Sequence, residues 1–249
     1  MKKRHLGVLI LIIILAFVAG YLWQVTHKLG ELKSSIQEIR FGGKQDKYEI
    51  DAAYPVIESG VPENIKNSIN TELEKWARDG AEKSKSEFED LLKDPELAGS
   101  DLGLMYSSTV SVKSDFKKLP YINVSFEIYD YSGGAHGITA VSTFVYDANT
   151  GEKITLDKVF SGNYLNTLST LSLAELKKTD PKLETYSFAE DGTKPVADNF
   201  QTWTLEPDGI HFVFSDYQVG PYSSGRPEIV LSYESLNSVL NPEFKKSLY

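Results

Sequence analysis

Three alternating segments lie in succession at Gly103–Phe116, Tyr121–Tyr131 and Ile138–Tyr146, separated by short turn-rich loops. A side chain changes face at every residue of a strand, so alternation over this length commits each segment to a half-buried strand. The connections Lys117-Lys118-Leu119-Pro120 and Ser132-Gly133-Gly134-Ala135-His136-Gly137 are too short for a crossover. Neighbouring segments must therefore pair antiparallel. Asp147-Ala148-Asn149-Thr150-Gly151 forms a further turn before a short strand at Lys153–Thr155.

The remaining pattern divides into helices and strands in blocks. Lys47–Tyr54 alternates and stops at Pro55, which predicts a strand. Pro62 opens a helix to about Lys93, with proline in the first turn where its missing N–H costs nothing. The apolar positions Ile65, Ile69, Leu73, Trp76, Phe88, Leu91 and Leu92 fit its period, and the polar middle predicts a bow or break near Gly80. A second helical stretch runs from Lys158 to about Lys178. Strands follow at Phe200–Leu205, Ile210–Phe214 and Glu228–Leu231, with a closing helix at Tyr233–Leu240. Without βαβ alternation the class is α+β, with antiparallel sheets, a long N-terminal helix and a second helical segment.

Lys2, Lys3 and Arg4 precede an uncharged run from Leu6 to Trp23. Eighteen residues at ~1.5 Å each cover ~27 Å, enough for a bilayer core of ~30 Å. The basic residues place the N-terminus in the cytoplasm and the remainder of the chain outside, on a single-pass membrane anchor. The alternative is a cleaved signal peptide ending near Val18-Ala19-Gly20, which would leave a secreted protein. Val25, Leu29, Leu32, Ile36 and Ile39 form a short heptad seam, read as a helical stalk able to support a weak homodimer. Phe41-Gly42-Gly43-Lys44 reads as a hinge. The expected organisation is a tail at 1–5, an anchor at 6–23, a helical stalk and hinge at 24–46, halves at 47–150 and 151–242, and a tail at 243–249.

Charge and cysteine content narrow the function. Residues 1–40 hold six Lys/Arg against two Asp/Glu, while the remainder holds 20 against 33. So acidic an ectodomain argues against nucleic acid and suits a basic protein ligand. The absence of cysteine excludes disulfides and thiolate chemistry, and favours a bacterial surface over a disulfide-rich secreted scaffold.

Three stretches carry a family resemblance: Tyr131-Ser132-Gly133-Gly134-Ala135-His136-Gly137, Ile154 to Phe160, and Asn199-Phe200-Gln201-Thr202-Trp203 running on to Asp216-Tyr217-Gln218-Val219-Gly220-Pro221-Tyr222-Ser223-Ser224-Gly225. Together they resemble the extracytoplasmic domain of unknown function (DUF3298) of RsiV-type anti-sigma factors. Residues from about Tyr48 to Tyr146 resemble the domain that precedes the catalytic domain of PdaC-type polysaccharide deacetylases. The first resemblance implies a lysozyme receptor, the second a cell-wall setting. Five residues ahead of the apolar run are too few to hold a sigma factor, and no esterase domain is expected after Tyr249. A binding or sensor module is what remains.

No nucleophile elbow, P-loop or dinucleotide fingerprint occurs, and no catalytic residue, cofactor or metal site is assigned. Asp208 with Asp216 and Glu87 with Asp90 are carboxylate pairs of the kind that chance supplies among so many acids. The candidate ligand-binding residues are Tyr131 and His136 in the glycine-rich loop and Asp216, Tyr217, Tyr222 and Arg226 in the later one. Tyrosines supply rigid contact area and arginine an anchor. His136 reads more readily as a turn residue than as a ligand contact, and the tyrosines read equally as packing against the sheet. The ligand is either a basic wall-active protein such as lysozyme or cell-wall glycan, with a hydrolase of unfamiliar site as a third alternative.

Overall fold

The computed structural model describes residues 36–98, 102–113, 119–179 and 188–248. The apolar run Leu6–Trp23 and the start of the heptad seam lie outside these residues. Among the described residues no helix is long and apolar enough to cross a membrane.

Strands β1 (Ile36–Lys44), β2 (Tyr48–Ile57), β3 (Leu104–Lys113), β4 (Tyr121–Tyr131) and β5 (Ile138–Asp147) form one sheet in chain order. Strands β6 (Trp203–Glu206), β7 (Gly209–Val213) and β8 (Glu228–Leu231) form a second. The predicted meander is β3-β4-β5, antiparallel throughout. Helix α1 (Glu63–Leu91) links β2 to β3, which pair parallel over Tyr48–Asp51 and Leu104–Ser107. One β–α–β crossover is therefore present where none was expected.

The helical stalk and hinge expected over 24–46 are corrected in their described part. Ile36–Lys44 is the edge strand β1, antiparallel to β2. Ile36 and Ile39 thus belong to a strand, and the homodimer seam loses its last two positions. Gly42 is not a hinge but a close approach: at φ +111°, a Cβ there would lie 2.2 Å from the Ile50 carbonyl oxygen. Strand β2 also continues through Pro55 to Ile57. Its pairing with β3 ends at Asp51, and the Ala53 N–H, on that same side, donates to Ser108 Oγ at 2.8 Å. Pro55 shares that parity, so its missing N–H faces the side where the ladder has already ended.

Helix α1 runs unbroken through Gly80. Its buried stripe, Ile65, Ile69, Leu73, Ala77, Ala81, Ser84 and Phe88, crosses the middle on small side chains that a hydropathy pattern does not register. A Cβ on Gly80 would come 3.1 Å from the Tyr106 hydroxyl, so the glycine makes room for a neighbour rather than a kink. The first half of the stripe, Ile65, Ile69, Leu73 and Ala77, packs on Ile122, Val124, Phe126, Phe144 and Tyr146 of the meander, and Ala81 and Phe88 pack with Ile50, Ala52, Leu104 and Tyr106. Trp76 lies 4.5 Å from Phe126 and 5.3 Å from Phe144, ring centroid to centroid.

The short helix α2 (Pro95–Ala98) precedes β3, and after β5 come α3 (Leu156–Val159), α4 (Tyr164–Thr179) and α5 (Phe188–Gly192). Helix α4 packs on the inner face of the small sheet, where Leu168 and Leu176 join Trp203, Leu205, Ile210, Phe212, Ile229 and Leu231. Residues 233–240 form turns rather than the predicted helix, and the closing helix is α6 (Pro242–Lys246). The expected tail from 243 is thus built into the fold: Phe244 is buried, and Tyr121 and Ser247 share a hydroxyl hydrogen bond of 2.7 Å. Lys153–Thr155 contributes only a single bridge, Lys153 to Tyr146.

Ser172 of α4 is fully buried, and its Oγ has no hydrogen-bond partner among the described residues. A buried hydroxyl that has lost water without replacement is a net cost. Ser172→Ala should therefore stabilise the fold by about 1 kcal/mol, helped by alanine's helix propensity. Thermal unfolding would register this as a rise of roughly 2–4 °C; a fall would mean that the hydroxyl is satisfied.

Candidate functional site

Alternation gives the meander two working faces. The first carries Ile122, Val124, Phe126 and Phe144 against α1. The second carries Tyr121 and Asn123, which meet the small sheet. The Asn123 side chain accepts from the Leu205 N–H (2.9 Å) and donates to the Leu205 carbonyl (2.7 Å), imitating a strand partner. Beside it the Trp203 N–H donates to Thr143 Oγ1 (2.9 Å) and Thr202 Oγ1 donates to the Val141 carbonyl (3.1 Å). This seam brings the loop after β7 against the loop between β4 and β5.

Where those loops meet, three rings form an exposed cluster. The His136 imidazole stacks on Tyr222 with centroids 4.0 Å apart and planes 16° from parallel. Tyr217 lies 5.7 Å from Tyr222 and 6.5 Å from His136. His136 Nδ1 is 3.0 Å from the Gly137 carbonyl, which can only accept, so Nδ1 carries a proton. In that tautomer Nε2 is placed to accept from the Tyr217 hydroxyl, 3.3 Å away. Tyr217 is 44% exposed and Tyr222 38%, so the cluster is a surface feature and not an extension of the core.

The cluster is held from beneath. Tyr217 sits at φ +65°, a conformation that costs a bulky residue about 1–3 kcal/mol and persists only where its surroundings impose it. Gln218 imposes it: its Oε1 accepts from the Ser215 N–H, and its Nε2 donates to the carbonyls of Gly192 and Asn199, each at 3.0 Å. Asp216 accepts from the Thr139 N–H at 3.1 Å, tying this loop to the start of β5. On the other loop Gly137 lies under the Tyr129 ring, which a Cβ would approach to 2.5 Å.

Of the residues proposed from sequence, His136, Tyr217 and Tyr222 come together. Asp216 braces them, and Tyr131 closes its own loop by donating to the Gly134 carbonyl at 2.8 Å. Arg226 departs from the group. Its Nη2 donates to Glu127 Oε1 at 2.8 Å, in a separate cleft between the two sheets. Gln218 and Glu127 were missed. Gln218 stands in a stretch singled out for its tyrosines, whereas nothing in the sequence distinguishes Glu127 from the other acids. Asp130, six residues before His136, points elsewhere: burial holds its carboxyl above the usual range, although Ser84 Oγ donates to it at 2.9 Å, and Glu87 raises it further. Among the described residues no three His, Cys, Asp or Glu gather into a metal-binding group.

Two family models match the chain in order. Residues 42–139 match the model described as Deacetylase PdaC, and residues 157–234 match a protein of unknown function, DUF3298. The peptidoglycan-N-acetylmuramic acid deacetylase PdaC of Bacillus subtilis is 25% identical over 204 residues, 81% of this chain. The chain spans 40% of the length of that relative. A crystal structure of a DUF3298 family member from Bacteroides fragilis superposes with a TM-score of 0.64 at 20% identity, covering 88% of this chain and 98% of that one. A second, from Pseudomonas aeruginosa, gives 0.58 at 14% identity over 87% and 98%. These two likenesses establish the shared α+β fold.

Proposed function

We propose that this chain, a PdaC-type segment followed by a DUF3298 segment, is an extracytoplasmic, cell-wall-related binding module that recognises a basic wall-active protein such as lysozyme through the His136–Tyr217–Tyr222 cluster. The observation that carries the reading is the cluster itself. A surface tyrosine held at positive φ by a buried-edge glutamine serves no packing purpose, and strain of this kind gathers at sites of recognition. Stacked, pre-ordered rings lose little entropy on binding, which is what an interface anchor needs. The acidic ectodomain supplies long-range attraction for a basic partner. The module acts by binding, on an anchor supplied by the run Leu6–Trp23.

Titration calorimetry of the full chain with c-type lysozyme, at low and moderate salt, tests this directly. Binding should weaken as salt rises, and Tyr222→Ala should reduce affinity by about tenfold or more, as removal of a central aromatic anchor does. No heat at either salt discards this ligand.

A second reading, wall glycan as the ligand, is favoured by the named substrate of the Bacillus subtilis relative, peptidoglycan-N-acetylmuramic acid. Co-sedimentation with purified peptidoglycan separates the two: retention in the pellet supports glycan, and a clear supernatant removes it.

A further inference from the structure

A cleft of about 240 Å³ lies between the two sheets, on a surface distinct from the aromatic cluster. Its floor is the second face of the meander beyond Asn123. Thr109 faces Glu127 and Ser111 faces Ser125 across β3 and β4, and Glu127 faces Val141 across β4 and β5. Residues opposite one another, or two apart along a strand, share a face, so these side chains form one strip that is polar except for Val141. The small sheet contributes its own outer face, where Thr204 faces His211 and Val213 faces Glu228. Its bulky apolar side chains, Trp203, Leu205, Ile210 and Phe212 among them, are spent on the core behind, which leaves Val213 as the apolar residue that this sheet gives to the cleft. Two polar sheet faces thus converge on a hollow, an arrangement that burial of apolar surface does not require.

The chemistry of the lining selects the ligand. Arg226 enters from the loop before β8 and is paired with Glu127, so the cleft offers a guanidinium and a carboxylate side by side. An anionic ligand would meet Glu127, Glu206 and Glu228, and a cationic one beside Glu127 would meet the guanidinium that already pairs it. A neutral ligand that both donates and accepts satisfies both sets of groups. Its hydroxyls would donate to the carboxylates and accept from the guanidinium, and the serine and threonine hydroxyls rotate to serve either need. The hollow is below the ~300–1,000 Å³ of a drug-sized pocket and suits a single ring.

We infer that this cleft binds one neutral, hydroxyl-rich ring, a pyranose unit of a saccharide, between the strips carrying Ser111, Ser125 and Glu127 on one side and Thr204, His211 and Arg226 on the other. The site goes beyond protein recognition at the aromatic cluster and would give the glycan reading a location.

Amide chemical shifts of the isotope-labelled full chain, titrated separately with glucose, N-acetylglucosamine, inorganic phosphate and lysine ethyl ester, test the assignment. A saccharide should shift the amides of Ser111, Ser125, Thr204 and His211, with a dissociation constant on the order of 1 mM for so small a ligand. The two charged probes should leave them unmoved. Ser111→Leu, at an exposed strand position, should weaken saccharide binding at least fivefold (roughly, the loss of a donor and part of the volume) with the rest of the spectrum intact. Thr204→Val should do the same, which guards against a folding defect in either variant. Tyr222→Ala should have no effect here, so failure of the cleft and failure of the cluster are told apart. No shift with either saccharide at about 100 mM, far above the expected constant, or larger shifts with phosphate or the lysine ester, would overturn the inference.

Discussion

Asn123→Leu should lower the unfolding free energy by about 2–6 kcal/mol, the sum for one buried donor and one buried acceptor left unpaired. Asn123 is 5% exposed, and its amide is the partner of both the N–H and the carbonyl of Leu205, 82 residues away. Leucine has the branching of asparagine with more bulk and no polar atom, so the change removes the bonds without opening a cavity. The small sheet would lose its central tie to the meander, with Trp203–Thr143 and Thr202–Val141 left on one flank. Denaturant unfolding followed by both tryptophan fluorescence and circular dichroism would measure the loss. A midpoint unchanged within error would mean that apolar packing alone joins the sheets.

Gly192→Ala should be comparably severe, and it should also disable the aromatic cluster. A Cβ at Gly192 would stand 2.0 Å from the Gln218 carbonyl oxygen and 2.7 Å from its carbon. Those are backbone atoms, so no rotamer change relieves the clash and one of the two segments must move. The same pair is joined by the Gln218 Nε2 bond to the Gly192 carbonyl, which holds Tyr217 in its positive-φ conformation. An overpacked contact typically costs about 1–3 kcal/mol, and loss of a bond to a partly buried carbonyl adds about 1 kcal/mol. The expected result is a loss of roughly 2–4 kcal/mol in denaturant unfolding, with lysozyme binding reduced at least as far as in Tyr222→Ala. Retention of wild-type stability would show that the loop can shift freely, and that Tyr217 is not held from beneath.

Both variants concern contacts between residues distant in sequence, and this separates what was legible from what was not. Strands β4 and β8 were legible residue for residue, because period-two alternation is local and Lys118-Leu119-Pro120 and Gly133-Gly134 punctuate it. Both family resemblances were legible too, since they rest on runs of contiguous residues, although Tyr131–Gly137, read with DUF3298, falls in the segment 42–139 that matches PdaC. Of the candidate site, the three aromatic members were named from two separate loops. Their meeting depended on the Asn123 seam, for which a lone asparagine in an apolar strand is the only trace.

The errors have a common source. Ile36 and Ile39 satisfy a heptad and a strand equally well, and only pairing with β2 decides between them. Gly80 reads as a break until Tyr106 fills the space beside it. Pro55 reads as a stop until the neighbouring ladder is seen to have ended first. The amino-acid sequence by itself determined the α+β class, the antiparallel meander, the long amphipathic helix and the acidic, cysteine-free character, because each depends on propensities and periodicities within a few residues. Only the tertiary structure decided that β1 joins the sheet, that Arg226 belongs to a cleft and not to the cluster, and that two polar faces meet. Those outcomes rest on hydrogen bonds and steric fits between residues tens of positions apart, whose energies exist only once the chain has closed on itself.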